Sequence, residues 1–448
     1  MSPPTRNFGL YVYLGIEVRN FLFSGLAQEL NKRGRLWMIT HQNSPLLDKY
    51  LCEFNLEKIH TPLETYFQLK RHPIEAYFLA SRHARLRVRG VELFNLWKES
   101  QKIRAKDRWL GSWPLYKTLQ TLHRRITRKH YFRPALAQKM KAAGLTDIVL
   151  QSYFTQQNMS VAITAKALGI RVWVVNWSWK DFYINEYIPF QANGFFTWSK
   201  TLASLYRQFN RHTPEKRIHA IGNLSYDQMF DYTPAKPISH YAEKYGFAAD
   251  ADLFLYTMVH PNVYPKEEKV VQLLGKLMPQ EAALAKAVLL VKPNPMDQEE
   301  DRFHEIAARG KIAVLESGWE YDHQANFNMI TDQGQEEWLD LLHYCKATIS
   351  VPSTVTVESL VFKKPAINPL YDAHNRLFAE FERLYLSSFY KNARERSDVI
   401  PCHDALACLA SMKSIISGQL GFQGNIDAII ASEGQALPLF LNELDAAI

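Results

Sequence analysis

Cysteine is scarce in this chain of 448 residues, and long apolar runs are absent. The four cysteines, Cys52, Cys345, Cys402 and Cys408, show neither CxxC spacing nor a histidine at zinc-finger distance. This usage fits a reducing compartment and argues against a structural metal. No apolar run reaches the length of about 18 residues that a transmembrane helix needs. The start, MSPPTRNFGLYVYLG, lacks the apolar region and cleavage site of a secretory signal, so we expect a cytoplasmic protein.

Several common catalytic signatures are also missing. The sequence contains no GxGxxG, no Walker A sequence and no HExxH, so neither a P-loop nor a zinc peptidase helix is indicated. The acid pair Asp250 and Asp252 lies before a predicted strand, at the end of the strand where ligands do not bind. We therefore predict no bound metal and no cofactor.

Acidic residues are few between Leu69 and Arg133, which we call the basic segment. It holds 17 Lys and Arg against four acids, a net charge of +13, while the whole chain carries +8. Aromatic residues alternate with these cations, among them Tyr77, Phe78, Phe94, Trp97, Trp109, Trp113 and Tyr116. One interpretation is a solvated helical face whose aromatics fill a core.

The alternative for the basic segment is an anionic membrane surface. Each Lys or Arg near such a surface contributes about 1 kcal/mol, and aromatic side chains favour the interface. This alternative predicts peripheral attachment to the inner face of the cytoplasmic membrane. Nucleic acid is not expected as a partner, because no recognition motif accompanies the charge.

Strand and helix patterns alternate along most of the chain. In the first half, strands are predicted at 8–15, 35–40, 146–154 and 170–177, with helices at 19–34 and 158–169. In the second half, strands are predicted at 252–258, 287–295, 311–317, 347–351 and 365–370, with helices at about 266–277 and 334–345. Continuous apolar strands separated by helices predict parallel sheets covered on both faces.

The same patterns predict the domain organisation. The prolines within 217–246 indicate an interdomain linker. We predict an α/β protein with an N-terminal Rossmann-like domain at 1–235, which includes a basic helical insertion at about 69–133. A second Rossmann-like domain spans 247–385, and a C-terminal helical segment spans 386–448.

Polar loops follow the strands of the second domain, and ligands of doubly wound sheets bind beyond the carboxyl ends of strands. In PSTVTVE (352–358), Ser353 and Thr354 fall at a helix N-terminus, where free backbone N–H groups attract an anion. The carboxylate of Glu358, one turn further, is placed to accept hydrogen bonds from both hydroxyls of a ribose. Alternatively, Ser353 or Thr354 only caps the helix and Glu358 pairs with Lys363 or Lys364 on a solvated face.

Two further loops contribute candidate ligand-binding residues. Lys292 follows a buried strand in KPNP (292–295), where an ammonium group suits a diphosphate, although a solvated strand end is the simpler interpretation. Asn294 in the same loop and His260 in VHPN (259–262) are candidates for orienting a phosphate or a sugar hydroxyl. We predict that these residues line one crevice with Ser353.

These segments resemble the donor-binding half of the GT-B glycosyltransferases. The segments that carry the resemblance are KPNP, EEWLDLLHYCKATIS and PSTVTVESLVFKKPAI. In the first half, GIEVRNFLFSGLAQELNKRG resembles the acceptor-side loop and helix of that fold. VVNWSWKDF, FFTWSKTLASLYRQ and RIHAIGNLSYDQM resemble segments of bacterial members that build lipopolysaccharide or capsule. The resemblance covers roughly 8–40 and 147–370; Asn294 departs from it, because a histidine is expected there.

The resemblance implies two Rossmann-like domains that face a cleft and a metal-independent transfer of sugar from a nucleotide-sugar donor. The acceptor would be a glycan or a lipid-linked molecule of cell-surface polysaccharide synthesis. Arg19 and Asn20 are implied in acceptor binding, and Asp181 and Glu17 are the candidate catalytic bases. Each acid has a simpler interpretation, since Glu17 can pair with Arg19 and Asp181 can hold a loop. The alternatives are a nucleotide-sugar epimerase of the same fold and a non-catalytic nucleotide-sugar-binding protein.

Overall fold

The computed structural model describes residues 6–62, 73–88, 105–153, 155–185, 187–297, 303, 306 and 311–447. The chain forms two compact units. Unit 1 consists of Met1–Asp227, Tyr321–Met329 and Ile430–Ile448. Unit 2 consists of Gln228–Glu320 and Ile330–Ile429.

Unit 1 is built on a seven-stranded sheet of order β3-β2-β1-β4-β5-β6-β7, in which every neighbouring pair is parallel. Its strands are β1 (Arg6–Val12), β2 (Gly34–Thr40), β3 (Glu57–His60), β4 (Asp147–Leu150), β5 (Arg171–Val175), β6 (Gly194–Thr197) and β7 (Ile218–Ala220). The apolar strands are buried on both faces, as the sequence predicts for parallel strands.

Helices connect the strands of this sheet along unit 1. They are α1 (Gly15–Leu22), α2 (Leu26–Asn31), α3 (Pro45–Glu53), α4 (Pro73–Val88), α5 (Ala105–Leu110), α6 (Trp113–His130), α7 (Pro134–Ala142), α8 (Gln156–Ala167), α9 (Asp181–Ile184) and α10 (Lys200–Phe209). The single helix predicted at 19–34 is two helices, because Gly25 has a left-handed backbone with φ of 83° that ends one turn and starts another.

The basic segment is mostly helical where the structure describes it; residues 111–112 and 131–133 lie outside its helices. Helices α4, α5 and α6 lie within it. Its remaining parts at 69–72 and 89–104, which include Phe94 and Trp97, lie outside the described residues. Phe78 of α4 and Tyr116 of α6 pack together with Tyr187, so part of the aromatic content fills a small core.

The second half of the chain contains α11 (Ile238–Tyr245), α12 (Glu267–Leu277), α13 (Asp332–Tyr344), α14 (Thr354–Val361), α15 (Ala379–Leu386), α16 (Lys391–Arg394), α17 (Ala405–Ile416) and α18 (Ala436–Asp445). Its strands are β8 (Asp252–Thr257), β9 (Ala287–Lys292), β10 (Ile312–Val314), β11 (Trp319–Asp322), β12 (Phe327–Ile330), β13 (Ala347–Ser350), β14 (Ala366–Pro369) and β15 (Val399–Cys402).

Unit 2 contains a six-stranded parallel sheet of order β10-β9-β8-β13-β14-β15. Strands β11 and β12 form a separate two-stranded sheet. The predicted fold class, α/β with two doubly wound parallel sheets, is confirmed by these two strand orders. The sheet positions the candidate site, because the chain reverses its direction of winding between β8 and β13 and leaves a crevice at their carboxyl ends.

The C-terminal segment 386–448, for which we predict helices, also contains the edge strand β15. Its residues divide between the two units after Ile429, and α18 packs in the core of unit 1 through Phe440 and Leu444. The sequence signal for β15 is weak, because VIPC is short and contains Pro401, which an edge strand tolerates.

One buried acid, Asp340, fixes the first residues of unit 2 through hydrogen bonds. Asp340 of α13 accepts hydrogen bonds from the hydroxyls of Tyr232 and Tyr241 and from the backbone N–H groups of Ala235 and Lys236, at 2.6–2.9 Å. The proline-rich stretch predicted as a linker is therefore fixed to unit 2 over these residues. Among the described residues, none of the helices is long and apolar enough to span a membrane.

Candidate functional site

Three predicted site residues lie at the carboxyl ends of the central strands of unit 2. His260 follows β8, Lys292 ends β9, and Ser353 follows β13 just before α14. Strands β9, β8 and β13 are adjacent in the sheet. The winding reversal between β8 and β13 makes this edge the expected ligand site of the unit.

Ser353 caps helix α14. Its hydroxyl accepts a hydrogen bond from the backbone N–H of Val355 at 3.3 Å, and Thr354 is the first helical residue. Both side chains are half-buried. The capping interpretation thus holds for Ser353, whose hydroxyl also donates to the hydroxyl of Ser350 at 3.4 Å. Capping is compatible with ligand binding, because the hydroxyl can rotate from this long contact to donate to an anion.

Glu358 is buried, with 5% of its surface exposed, and does not lie on the solvated face that its simpler interpretation requires. Its carboxylate accepts a hydrogen bond from the indole nitrogen of Trp338 in α13 at 2.9 Å. This bond fixes the carboxylate one turn into α14, close to the helix N-terminus that Ser353 caps.

Lys292 converges on the same tryptophan. Its ammonium nitrogen lies 5.5 Å from the centre of the Trp338 ring and donates a hydrogen bond to the backbone carbonyl of Ser317 at 2.9 Å. Trp338 therefore contacts the predicted phosphate-binding cation through its ring and the predicted ribose-binding acid through its N–H. Sequence reasoning missed this residue, because a tryptophan on an amphipathic helix is typical of a core position.

The loop that holds Lys292 depends on two glycines. Gly318 has φ of 67°, and a Cβ on Gly334 would lie 2.1 Å from the carbonyl oxygen of Gly318. Thr331 caps α13 and donates its backbone N–H to the same carbonyl at 3.0 Å. The start of α13 can pack this closely on the Ser317 loop only because both positions lack a side chain.

Asn294 and His260 each shape their own loop. The side-chain oxygen of Asn294 accepts from the N–H of Met296 at 3.0 Å, and Nδ1 of His260 accepts from the N–H of Asn262 at 3.0 Å. Both residues are half-buried at the predicted edge of the sheet. The structure therefore gives each of them a turn-forming role beside the crevice.

A buried acid braces the loop that carries His260. Glu267, the first residue of α12, is 1% exposed and accepts from the backbone N–H of Val259 at 2.6 Å and from the hydroxyl of Tyr256 at 3.0 Å. The loop after β8 is thus held at both its strand and helix ends. Sequence reasoning did not single out Glu267, which looks like an ordinary first-turn acid.

A second buried network fixes the strand before α14. Asn368 of β14 donates to the carbonyl of Ser350 at 2.8 Å, and the Tyr390 hydroxyl joins Asn368 to Thr356 at 2.7 Å each. Asn368 and Tyr390 are fully buried. Because their polar atoms are satisfied, the network holds β13 and α14 in one position relative to each other. No local pattern in the sequence indicates this network, since its members are far apart along the chain.

In unit 1, Glu17 lies at the start of α1 and is buried, with 5% of its surface exposed. Its carboxylate accepts from the backbone N–H groups of Leu14, at 2.8 Å, and Tyr13. Burial raises its pKa to about 7, against the lowering effect of these two bonds. In the same helix, Arg19 is half-buried and Asn20 is buried.

Asp181, the other predicted base, is completely buried at the start of α9. One carboxylate oxygen accepts from the N–H of Ser178 at 3.0 Å. Its other oxygen, like side-chain oxygens of Gln151, Ser152 and Asn176, has no hydrogen-bond partner in the described part of the chain. Burial raises the pKa of Asp181 to about 7. These four residues follow β4 and β5, so their unpartnered side-chain oxygens lie at the carboxyl edge of the unit 1 sheet.

No group of three or more His, Cys, Asp and Glu side chains within the described ranges is placed to hold a metal ion. The polar groups at the two sheet edges are instead a lysine, hydroxyls, amides and single carboxyl groups. This donor set suits hydrogen bonding to sugar hydroxyls and to phosphate.

Comparison with solved structures identifies the fold. UDP-GlcNAc 2-epimerase from Neisseria meningitidis, bound to UDP-GlcNAc, matches with a TM-score of 0.58 and 9% identity over 99% of this chain and 100% of that chain. MnaA from S. aureus, in a co-structure with UDP, matches with a TM-score of 0.57 and 11% identity over 99% and 97%. The fold is that of the GT-B class.

A glycosyltransferase from Rickettsia africae also matches, with a TM-score of 0.49 and 9% identity over 98% of this chain and 94% of that chain. At these identities the likeness concerns the fold. No family model matches the chain, and no curated protein matches it in sequence.

Proposed function

We propose that this chain is a nucleotide-sugar-dependent glycosyltransferase that binds its donor at the carboxyl edge of the unit 2 sheet. The observation that supports this most directly is the convergence of Lys292 and Glu358 on Trp338, beside the N-terminus of α14. A cation, a helix N-terminus and a buried carboxylate are the groups that a diphosphate and a ribose require.

The arrangement is suited to stabilising a leaving nucleotide. Negative charge develops on the phosphate as the bond to the sugar breaks, and the ammonium of Lys292 and the N-terminal N–H groups of α14 favour that charge. Lys292 is already held by the Ser317 carbonyl and the Trp338 ring, and Ser353 caps α14, so little reorganisation is needed during the reaction. In this proposal the protein supplies the positive charge itself and needs no bound metal.

Unit 1 supplies the candidate bases of the transfer. A general base works best when its pKa lies near the operating pH. Burial raises the pKa of Asp181 and that of Glu17 to about 7. We favour Asp181, because one of its oxygens lacks a hydrogen-bond partner among the described residues whereas Glu17 caps its own helix. Its proposed role is to accept the proton of the attacking hydroxyl of a glycan or lipid-linked acceptor.

An epimerase is the second candidate. The solved structures that match with TM-scores of 0.58 and 0.57 include one of a UDP-GlcNAc 2-epimerase bound to UDP-GlcNAc and one of a protein with UDP. Two buried carboxyl groups with pKa values of about 7 also suit an enzyme that removes and returns a proton on the donor sugar itself.

The test is a screen followed by a turnover assay. Thermal stabilisation of the purified protein by a panel of UDP, CMP, GDP and TDP sugars identifies the donor. The best donor is then incubated alone and with lipid-linked glycan acceptors, and the sugar is followed by NMR. Acceptor-dependent release of the nucleotide supports a transferase, and a new nucleotide sugar formed without acceptor supports an epimerase. Stabilisation without turnover under either condition would indicate a binding protein, and stabilisation by no sugar nucleotide would contradict the proposal.

A further inference from the structure

A basic pocket of about 330 Å³ lies in unit 1 between α6 and α8. Arg124 and Arg128 of α6, Lys166 near the end of α8, and His212 contribute its polar lining. The apolar side chains of Ile163 and Phe190, both buried, complete the wall. We propose that this pocket binds a phosphate-bearing group, in addition to the nucleotide proposed for unit 2.

The pocket is at the opposite edge of the sheet from the candidate base Asp181. Lys166 lies near the end of α8, and the chain then turns into the first residue of β5. The ammonium of Lys166 donates to the side-chain oxygen of Asn193 at 3.1 Å, and that oxygen also accepts from the N–H of Val172 near the start of β5. These contacts place the pocket at the amino ends of the strands, so it is a separate site from the one at their carboxyl ends.

No carboxylate of the described residues lines the pocket beside its cations. The pocket lining contains three positively charged side chains. Arg124 donates to the hydroxyl of Tyr187 at 3.0 Å, and Lys166 donates to the side-chain oxygen of Asn193 at 3.1 Å, and both of these acceptors are neutral. One terminal nitrogen of Arg124 is buried without a hydrogen-bond partner in the described structure. An unpartnered guanidinium nitrogen in a basic pocket is suited to a phosphate oxygen.

Burial is the larger cause of the pKa shifts of Lys166 and His123, and nearby positive charge adds to it. The pKa of Lys166 is lowered, first by burial and then by the charge of Arg217. The pKa of His123, which lies one residue before Arg124, is lowered to about 4 by burial and further by the charges of Arg82 and Arg124. A bound anion would offset this repulsion, which is the physical reason to expect one.

His212 connects this pocket to a second one of about 450 Å³, which is lined by Arg85, Trp113, Tyr116 and Arg211 among others. The guanidinium of Arg85 lies 4.6 Å from the centre of the Trp113 ring, which is itself 48% exposed. Exposed aromatic side chains continue along these helices at Tyr77 and Trp109, which are 65% and 69% exposed. A phosphate next to such a surface has two sources, a phospholipid headgroup or a soluble phosphate.

The experiment compares two variants of α6 that lose the same charge. Arg124→Gln/Arg128→Gln removes the pocket cations, whereas Arg125→Gln/Lys129→Gln removes two exposed cations of the same helix that do not line the pocket. Arg128→Gln alone is the second variant, because Arg128 is exposed and its replacement should not disturb folding. Inorganic phosphate and pyrophosphate are titrated by calorimetry at constant ionic strength. Sedimentation with phosphatidylcholine vesicles, with and without phosphatidic acid, tests the lipid source.

We expect phosphate or phosphatidic acid to bind the wild type and the Arg125/Lys129 control equally. The loss of one charge-assisted hydrogen bond should weaken binding about tenfold in Arg128→Gln and more in the double pocket variant. Binding of pyrophosphate in solution indicates a soluble ligand, and binding of phosphatidic acid vesicles alone indicates a headgroup. Equal losses in the pocket variants and the control, or no binding of either probe, would overturn the proposal. Pyrophosphate would also bind the donor site proposed for unit 2, so the titration is repeated in a Lys292→Met background, which weakens that site. Binding that persists in this background and is lost on adding Arg124→Gln/Arg128→Gln belongs to the pocket, whatever the fate of the donor-site proposal.

Discussion

The indole nitrogen of Trp338 donates a hydrogen bond to the carboxylate of Glu358 across 2.9 Å. The two residues lie on different helices, α13 and α14, and both are 5% exposed. A buried carboxylate needs such a donor, because unsatisfied acceptors are costly away from water. The bond therefore fixes the acid that we assign to ribose binding.

Trp338→Phe keeps an aromatic ring near Lys292 and removes the indole N–H. We expect the free energy of unfolding to fall by about 1–3 kcal/mol, because a buried acceptor loses its partner. Nucleotide affinity should fall as well. Urea denaturation measures the first effect and calorimetry the second. Glu358→Gln removes the charge but keeps the hydrogen bond, since an amide oxygen still accepts from Trp338. If both variants bind the nucleotide with the affinity of the wild type, the Trp338–Glu358 pair has no role in binding.

Lys292→Met removes the cation proposed to face the diphosphate. We expect nucleotide affinity to fall about tenfold or more while the protein stays folded, since a charged hydrogen bond to a ligand contributes about 1.5–3 kcal/mol. Lys346→Met is the matched control, because Lys346 lies before β13 at the opposite edge of the same sheet, where it pairs with Asp252. Calorimetric titration with the donor measures the affinity of both variants. Equal affinities in the two would show that Lys292 does not bind the nucleotide.

Asp181 should make the stability of the wild type depend on pH. Its pKa is raised to about 7 in the folded protein from an ordinary value of 3.8. The folded state therefore holds this proton more tightly than the unfolded state does. The contribution of Asp181 to the free energy of unfolding is complete below about pH 3.8 and is lost as the pH rises toward 7. Asp181→Asn should remove this part of the pH dependence. Thermal unfolding of the two proteins from pH 5 to 8 measures it, and parallel profiles would show that Asp181 does not titrate in this range.

Gly334→Ala should destabilise unit 2 through the loop that holds Lys292. The added Cβ would approach the Gly318 carbonyl oxygen to 2.1 Å, so the backbone must shift. We expect a loss of about 1–3 kcal/mol in the free energy of unfolding, the usual cost of overpacking. Gly421→Ala is the control for backbone entropy, since nothing lies within 4 Å of its Cβ position and its backbone is not in the left-handed region. If Gly334→Ala is no less stable than this control, the close packing is not required.

Nucleotide binding should survive chelation with EDTA. The proposed phosphate ligands are Lys292 and the N-terminus of α14, and neither needs a divalent cation to attract an anion. Calorimetry with the donor before and after EDTA, followed by Mg²⁺ or Mn²⁺, gives the readout. Loss of binding that Mg²⁺ or Mn²⁺ specifically restores would show that a metal participates.

The sequence alone predicted the elements that have strong local signals. Continuous apolar strands such as 252–258 and 287–295 gave the parallel sheets, because strands buried on both faces have no polar alternation. Ser353 at a helix start and Lys292 at a strand end were predicted from the same local pattern. Weaker elements were missed, such as β15 and the break at Gly25, because a short edge strand and a left-handed glycine leave little trace in composition.

Only the tertiary structure decided which of these residues meet. Nothing in the sequence indicates that Trp338 contacts both Lys292 and Glu358, or that Asn368 reaches Tyr390, because such pairs are fixed by the packing of separate elements. The same holds for the basic segment, where the sequence supplied the charge and the fold placed Arg124 and Arg128 beside Lys166. Charge and periodicity are local properties of a chain. The distances between side chains, and the burial that shifts the pKa of Asp181, exist only once the sheet and its helices have packed.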